Sequence, residues 1–167
     1  MARSPLQVGA EMSDAIQAAD TNRLRSLASA HSLDLAAFRG RANPLTDAAS
    51  HNNIPALDVL VTERRWPLSL PGPSGQTALQ LAVHRCHEQA EFWSLAHDAP
   101  VNQCDDHGNS PLHEALLVQA APQIVHRLLD YGASLSFTNS KFNTPCIWRS
   151  SWTLMFSGVS WRARNAM

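Results

Sequence analysis

Histidine and cysteine side chains are the residues of this sequence that could bind a metal. They lie in two short stretches and are His84, Cys86, His87, Cys104, His107 and His113. A tetrahedral zinc site usually takes four ligands from two closely spaced pairs. On a short helix, successive side chains point roughly 100° apart, so the side chains of the H-R-C-H stretch diverge. We therefore expect structural roles for these residues, and neither a metal nor another cofactor.

Catalytic motifs are absent from the sequence. No G-x-S-x-G nucleophile turn, G-x-x-x-x-G-K-[ST] phosphate loop or G-x-G-x-x-G dinucleotide turn occurs. Cys104 has no cationic run beside it that would stabilise a thiolate. We predict that the protein is not an enzyme.

Charge and composition limit the class of partner. The chain has 167 residues, a formal net charge of −1 and 44% hydrophobic residues, which favours a folded domain over a disordered or strongly basic one. Its basic residues are interpreted as solvated, and no nucleic-acid partner is expected; the clustered ones are Arg23, Arg25, Arg39, Arg41, Arg64 and Arg65.

Targeting signals are also absent from the sequence. It begins without the apolar region of a signal peptide and has no run of 18 apolar residues, so no membrane association is expected. Three cysteines give an odd count that suits a reducing compartment. The expected location is intracellular and cytoplasmic, with the nucleus as an option.

One helix start recurs along the chain. Ser110 can accept a backbone N–H as an N-cap, and Pro111 suits the first helical position. Thr77 lies 33 residues before Ser110, Asn43 lies 34 before Thr77, and Thr144 lies 34 after Ser110. A period near 33 residues indicates stacked repeats.

A second apolar stripe follows each start. In one unit it comprises Phe92, Trp93 and Leu95, and in the next it comprises Ile124, Val125, Leu128 and Leu129. Gly132 can end its helix in the left-handed conformation. Asp98 takes that place one unit earlier. In the unit before that, Arg64-Arg65 is poorly suited to ending the helix, which predicts an irregular loop over 62–75.

The sequence resembles the ankyrin repeat family. The matching residues are Gly75, Thr77, Leu79, Ala82, Val101, Asn102, Asp105, Gly108, Ser110, Pro111, Leu112, His113, Ala115, Leu128, Leu129, Gly132 and Ala133. The resemblance implies an all-α solenoid of about four helix-turn-helix units joined by extended, β-hairpin-like loops. It also implies that His113 forms hydrogen bonds between loops of adjacent repeats.

The expected organisation has three parts. Residues 1–11 are predicted to be flexible, and 12–146 to form the repeat domain, with units of approximately 12–41, 42–74, 75–107 and 108–141 and a fifth starting at 142. The first unit, which has no Thr-Pro start, is expected to cap the stack. Residues 147–167 form an atypical tail because Arg149 replaces the packed alanine. This tail is an improvised cap, a truncated or alternative terminus of a longer protein, or a partner-binding segment.

The resemblance implies that a protein or peptide partner binds the concave side, which first-helix residues and loop tips line. The candidate contact residues are Arg39, His51, Ser74, Gln76, His84, Arg85, Asp106, His107, Asn109, Leu117, Val118 and Lys141. We therefore expect a non-catalytic adaptor that is a monomer in isolation. Two alternatives remain: an inhibitor, immunity or effector-type protein that blocks an enzyme, and a fragment of a larger multidomain protein.

Overall fold

Eight α-helices and no β-strand make up the part of the chain that the structure describes. The computed structural model describes residues 4–30, 35–38, 40–141 and 143–145. The helices are α1 (Pro5–Gln17), α2 (Thr21–Ala30), α3 (Pro44–Ser50), α4 (Ile54–Asp58), α5 (Ala78–His84), α6 (Glu88–Ala96), α7 (Pro111–Leu117) and α8 (Pro122–Asp130). A π-helical turn, Val59–Glu63, continues α4, and 3-10 turns span Leu35–Phe38 and Pro73–Gly75.

Each odd-numbered helix begins with the same capping arrangement. Ser4, Asn43, Thr77 and Ser110 are the N-caps, and each side chain accepts the backbone N–H three residues later. In return, the side chain of that third residue accepts the backbone N–H of the N-cap residue, which completes a capping box. The helix starts predicted at Asn43, Thr77 and Ser110 are confirmed.

The N-terminus differs from the prediction. Residues 5–11 belong to α1, whereas the sequence pattern predicted flexibility up to residue 11 and a unit that starts at Met12. Ser4-Pro5 caps α1 as Ser110-Pro111 caps α7, so the first unit does have the recurrent start. The start was missed because α1 has 13 residues where α3, α5 and α7 have 7, which breaks the 33-residue period.

The turn inside each helix pair repeats in all four units. Its left-handed residue is Ala19, Asn52, Cys86 or Gln119, with φ between 51° and 55°. The next amide donates to the carbonyl of a fully buried alanine, 2.8–2.9 Å away; these alanines are Ala15, Ala48, Ala82 and Ala115. A small side chain at that position lets neighbouring helices pack closely, so each unit is a helix-turn-helix hairpin of the same shape.

The four hairpins stack in two layers. The first helices contact one another in the order α1, α3, α5 and α7, and the second helices in the order α2, α4, α6 and α8. Leu45, Leu79 and Leu112 are buried between the first helices at equivalent positions. A continuous core therefore runs through the stack, because no single helix pair covers its own apolar side.

Left-handed residues end three second helices. Gly132 has φ 86°, Asp98 has φ 60° and Arg65 has φ 58°, so the predicted helix ends are confirmed at all three. After Arg65 the loop packs on the core: Trp66 is buried, with its ring centroid 5.7 Å from that of Phe38.

The apolar stripe predicted on α6 is wrong at Phe92. That side chain is 52% exposed, whereas Leu95 is buried as predicted, and Ala90, Glu91 and Ser94 are buried with it. Trp93 also packs against the core, partly buried. Helix periodicity makes residues 91, 94 and 95 share a face, but Glu91 and Ser94 are polar, so the apolar residues alone wrongly placed Phe92 on the buried face.

The predictions for the tail and for Arg39 lie outside the described residues. Thr144 and Pro145 are described, with Pro145 buried, but the continuation of a fifth unit is not. The predicted boundary at 146 and the nature of 147–167 stay predictions.

Candidate functional site

The loops between units share one tight backbone turn. The amides of Gly72, Asp105 and Asn139 donate to the carbonyl oxygen four residues later, at 2.8, 3.0 and 3.0 Å. In the second loop Asp105 Oδ1 accepts the backbone N–H groups of His107 (2.9 Å) and Asn109 (2.8 Å). Asn139 Oδ1 does the same for residues 141 and 143, both at 3.0 Å. These bonds fix the backbone at the loop tips.

Adjacent loops are hydrogen-bonded to each other. The amide of Asp106 donates to the Ser74 carbonyl (3.0 Å), and the amide of Ser140 donates to the His107 carbonyl (2.9 Å). Gly75, at φ +73°, permits this approach, since a Cβ there would lie 2.8 Å from the Asp106 backbone nitrogen. The loops therefore form one connected edge along the stack.

His113 forms the bond between loops that the resemblance implied. Its Nδ1 accepts the Ser110 amide at 3.2 Å, so Nε2 carries the proton and donates to the Asn143 carbonyl at 3.0 Å. Gln80 replaces it one unit earlier, where Nε2 donates to the Asn109 carbonyl at 2.7 Å. Both side chains hold the next loop against the start of a first helix.

Most of the predicted contact residues lie on one surface, which we call the loop face. It consists of the loop residues 72–76, 105–109, 139–141 and 143 together with the C-terminal ends of α3, α5 and α7. Ser74, Gln76, Asp106, His107, Asn109 and Lys141 belong to its loops, and His51, His84, Arg85, Leu117 and Val118 belong to its helix ends. Gln76, Asn109 and Val118 are partly buried, and the other eight are exposed. Their roles in binding a partner stay predictions.

Four of the predicted residues surround a pocket of about 350 Å³. They are His107, Asn109, Leu117 and Lys141, and the rest of the lining consists of Asn139, Ser140 and Asn143. Leu117 is 45% exposed and supplies the large apolar surface of the pocket. The other predicted residues of the loop face lie outside the pocket; they are His51, Ser74, Gln76, His84, Arg85, Asp106 and Val118. Asn139 was missed as a contact residue, although its place 34 residues after Asp105 could have indicated it.

The polar groups around this pocket are largely satisfied by one another. Asn139 Nδ2 donates to Asn109 Oδ1 (2.9 Å), and Ser140 Oγ donates to the His107 carbonyl (2.7 Å). The Lys141 ammonium and the His107 ring make no hydrogen bond or ion pair with any described residue. None of the described residues that line the pocket carries a carboxylate.

Two carboxylates on the loop-facing side of the first helices were missed. Glu114 on α7 is buried and pairs with His84 Nδ1 on α5. Asp47 on α3 accepts a 2.7 Å hydrogen bond from Ser13 Oγ on α1. Both follow their N-cap by four residues, and that spacing could have placed them beside the neighbouring first helix. They connect successive units at this face.

The described residues show no cluster suited to metal binding, and the surroundings of Cys104 do not favour a reactive thiolate. No group of three His, Cys, Asp or Glu side chains in the described ranges could hold a metal ion. Burial, with a smaller effect of Asp105, raises the pKa of the Cys104 thiol, which disfavours the thiolate. The His87 ring instead contacts the Ala49 carbonyl at 3.2 Å, a contact between repeats.

Within the described ranges, no helix has the length and hydropathy needed to cross a membrane.

Comparison with known proteins identifies the family. No curated protein matches the chain. A family model described as ankyrin repeats (three copies) matches residues 45–139, more than half of the chain. The chain therefore belongs to the ankyrin repeat family, whose members are generally protein–protein interaction modules and are typically non-catalytic.

Proposed function

We propose that this protein is a non-catalytic adaptor that binds a protein or peptide partner on the loop face. The observation that carries the proposal is the hydrogen-bonded edge of loops, which holds side chains of three units on one surface. A surface whose backbone is fixed before binding loses little conformational entropy when a partner binds.

The composition of the loop face also fits a protein partner. Leu117 is an exposed apolar residue among polar neighbours such as Asn109 and Lys141. Protein interfaces commonly combine an apolar centre with a hydrogen-bonding rim. The exposed His84 and Arg85 extend the polar part along the stack.

Affinity capture from the native cell with two variants tests the proposal. The first variant carries His84→Glu, Arg85→Glu and Leu117→Asp on the loop face. The matched control carries His97→Glu, Arg65→Glu and Phe92→Asp, which are exposed positions at or after the second helices. Circular dichroism and thermal unfolding must first show that both variants are folded.

We expect the partner to be captured by the wild type and the control but lost by the loop-face variant. A partner that is retained by the loop-face variant, or lost only by the control, would contradict the proposal. If the captured partner is an enzyme, its activity in the presence of one equivalent of this protein distinguishes an adaptor from an inhibitor.

We also propose a cytoplasmic location. Cys86 is exposed and Cys104 is partly buried, and both are free thiols, which suits a reducing compartment. Imaging of a fluorescent fusion should show cytoplasmic signal, and purely extracellular or membrane signal would contradict this.

A further inference from the structure

We propose that the pocket at Leu117 binds a partner segment in which a carboxylate side chain lies next to a large apolar side chain. This inference rests on the proposed function, because it specifies the chemistry of the partner that the loop face binds. The pocket is the one lined by His107, Asn109, Leu117, Asn139, Ser140, Lys141 and Asn143.

The apolar half of the pocket is specific to the last described unit. Leu117 stands seven residues after its N-cap, and the equivalent residues of the two preceding units are Ser50 and His84. A volume of about 350 Å³ is at the lower end of the range for ligand pockets, which suits a few side chains better than a whole domain. An inserted Leu, Ile, Met or Phe would cover the exposed part of Leu117 and gain the free energy of apolar burial.

The polar half of the pocket lacks negative charge. The side-chain oxygens of Asn139 and Ser140 already form bonds within the loops, so the groups still free to pair are the Lys141 ammonium, the His107 ring and the Asn143 side-chain amide, and Lys141 is the fixed cation among them. The nearby Asp106 is turned away, because its carboxylate lies beside Gly75 in the preceding loop. A carboxylate from a partner would thus meet a cation with no competing acid among the described lining residues.

Charge argues against the protein's own C-terminal segment as the occupant. Residues 146–167 contain apolar side chains such as Trp148 and Trp152, but they include three arginines and neither Asp nor Glu. Such a segment could supply the apolar contact, yet it would bring positive charge towards Lys141. Complementarity therefore favours an acidic segment from a separate protein.

A display library of random 12-residue peptides, selected on the full chain, tests this inference. We expect the enriched peptides to carry Asp or Glu within two positions of Leu, Ile, Met or Phe. Selection on Lys141→Glu should remove the acidic preference. Arg23→Gln is a matched control, because Arg23 is an exposed cation on α2, far from the loops.

Fluorescence anisotropy with the best enriched peptide then measures each contribution. We expect Lys141→Gln to weaken binding two- to five-fold, as for an exposed ion pair, Leu117→Asp to weaken it more than ten-fold, and Arg23→Gln to leave it unchanged. Enriched peptides without acidic residues, an affinity insensitive to Lys141→Gln, or no enrichment because the pocket is already filled would each overturn the inference. If the cellular partner still depends on the loop face but not on Lys141, the inference fails while the proposed function stands.

Discussion

Glu91 provides the sharpest test of how this stack is packed. It lies on α6, fully buried, at the position that Leu57 and Val125 occupy in the neighbouring units. Neither of its carboxylate oxygens has a hydrogen bond, although Arg127 Nη1 lies 3.0 Å from Oε2. Burial raises the pKa of Glu91 from 4.5 to about 7, and the attraction of Arg127 offsets only part of this effect.

The raised pKa fixes both the sign and the size of a pH effect. The folded state binds a proton at Glu91 that the unfolded state releases, so the free energy of unfolding falls as pH rises from about 4.5 to about 7. Each pKa unit corresponds to about 1.36 kcal/mol, so the ionised side chain costs the folded state roughly 3 kcal/mol above pH 7. Glu91→Gln removes this cost and keeps the side-chain volume.

Urea unfolding of wild type and Glu91→Gln between pH 4.5 and pH 8.5 measures this effect. Taking the difference between the two proteins removes the contribution of every other titrating group. We expect near-equal stability at pH 4.5 and a variant that is more stable by roughly 3 kcal/mol at pH 8. Arg127 keeps an acidic partner in the variant, since its Nη2 lies 3.9 Å from Oε2 of Glu88. A difference that does not change with pH, or a variant less stable than wild type at pH 8, would refute this account of the α6–α8 contact.

Two further changes test the loops. His113→Ala should lower the free energy of unfolding by about 1–3 kcal/mol, because it removes the bonds to Ser110 and Asn143 inside a buried site. In urea unfolding His113→Gln should lose less than half as much, because Gln80 makes the same contact one unit earlier, and an equal loss would contradict a bridging role. Gly75→Ala should destabilise more than Gly132→Ala by about 1–3 kcal/mol in the same assay: both glycines have positive φ, but only at Gly75 would a Cβ meet the next loop. Equal losses for the two alanine variants would show that the loops can separate without cost.

Local chemistry made much of the fold predictable. The starts at Asn43, Thr77 and Ser110 depend on capping side chains that act within four residues, so the sequence indicates them directly. The start at Ser4 carries the same chemistry and was missed only because the longer α1 disrupts the period.

Packing between units was less predictable. The apolar residues of α6 indicated Phe92 as buried, whereas contact with α8 buries Glu91 and leaves Phe92 beneath the guanidinium of Arg127. Which residue faces the next unit depends on how the helices stack, and residue type alone does not carry that information.

The candidate site was predictable in part: which residues share a face was predictable, but which side chains pair was not. His107, Asn109, Leu117 and Lys141 were expected on one face, and the structure brings these four together. The pairing of His84 with Glu114 joins residues 30 positions apart. The spacing of Glu114 from its N-cap indicates that it faces the neighbouring first helix, but its partner follows from the relative placement of α5 and α7.

The most direct test of the account is hydrogen–deuterium exchange of the protein alone and in complex with its captured partner. Amides of the loop face can be resolved in peptides that cover 105–118 and 139–145, and the second helices in peptides from α6 and α8. We predict that the partner slows exchange in the two loop-face regions and leaves α6 and α8 unchanged. Slowed exchange in α6 and α8 with the loop-face peptides unaffected would contradict the assignment of the loop face as the binding surface.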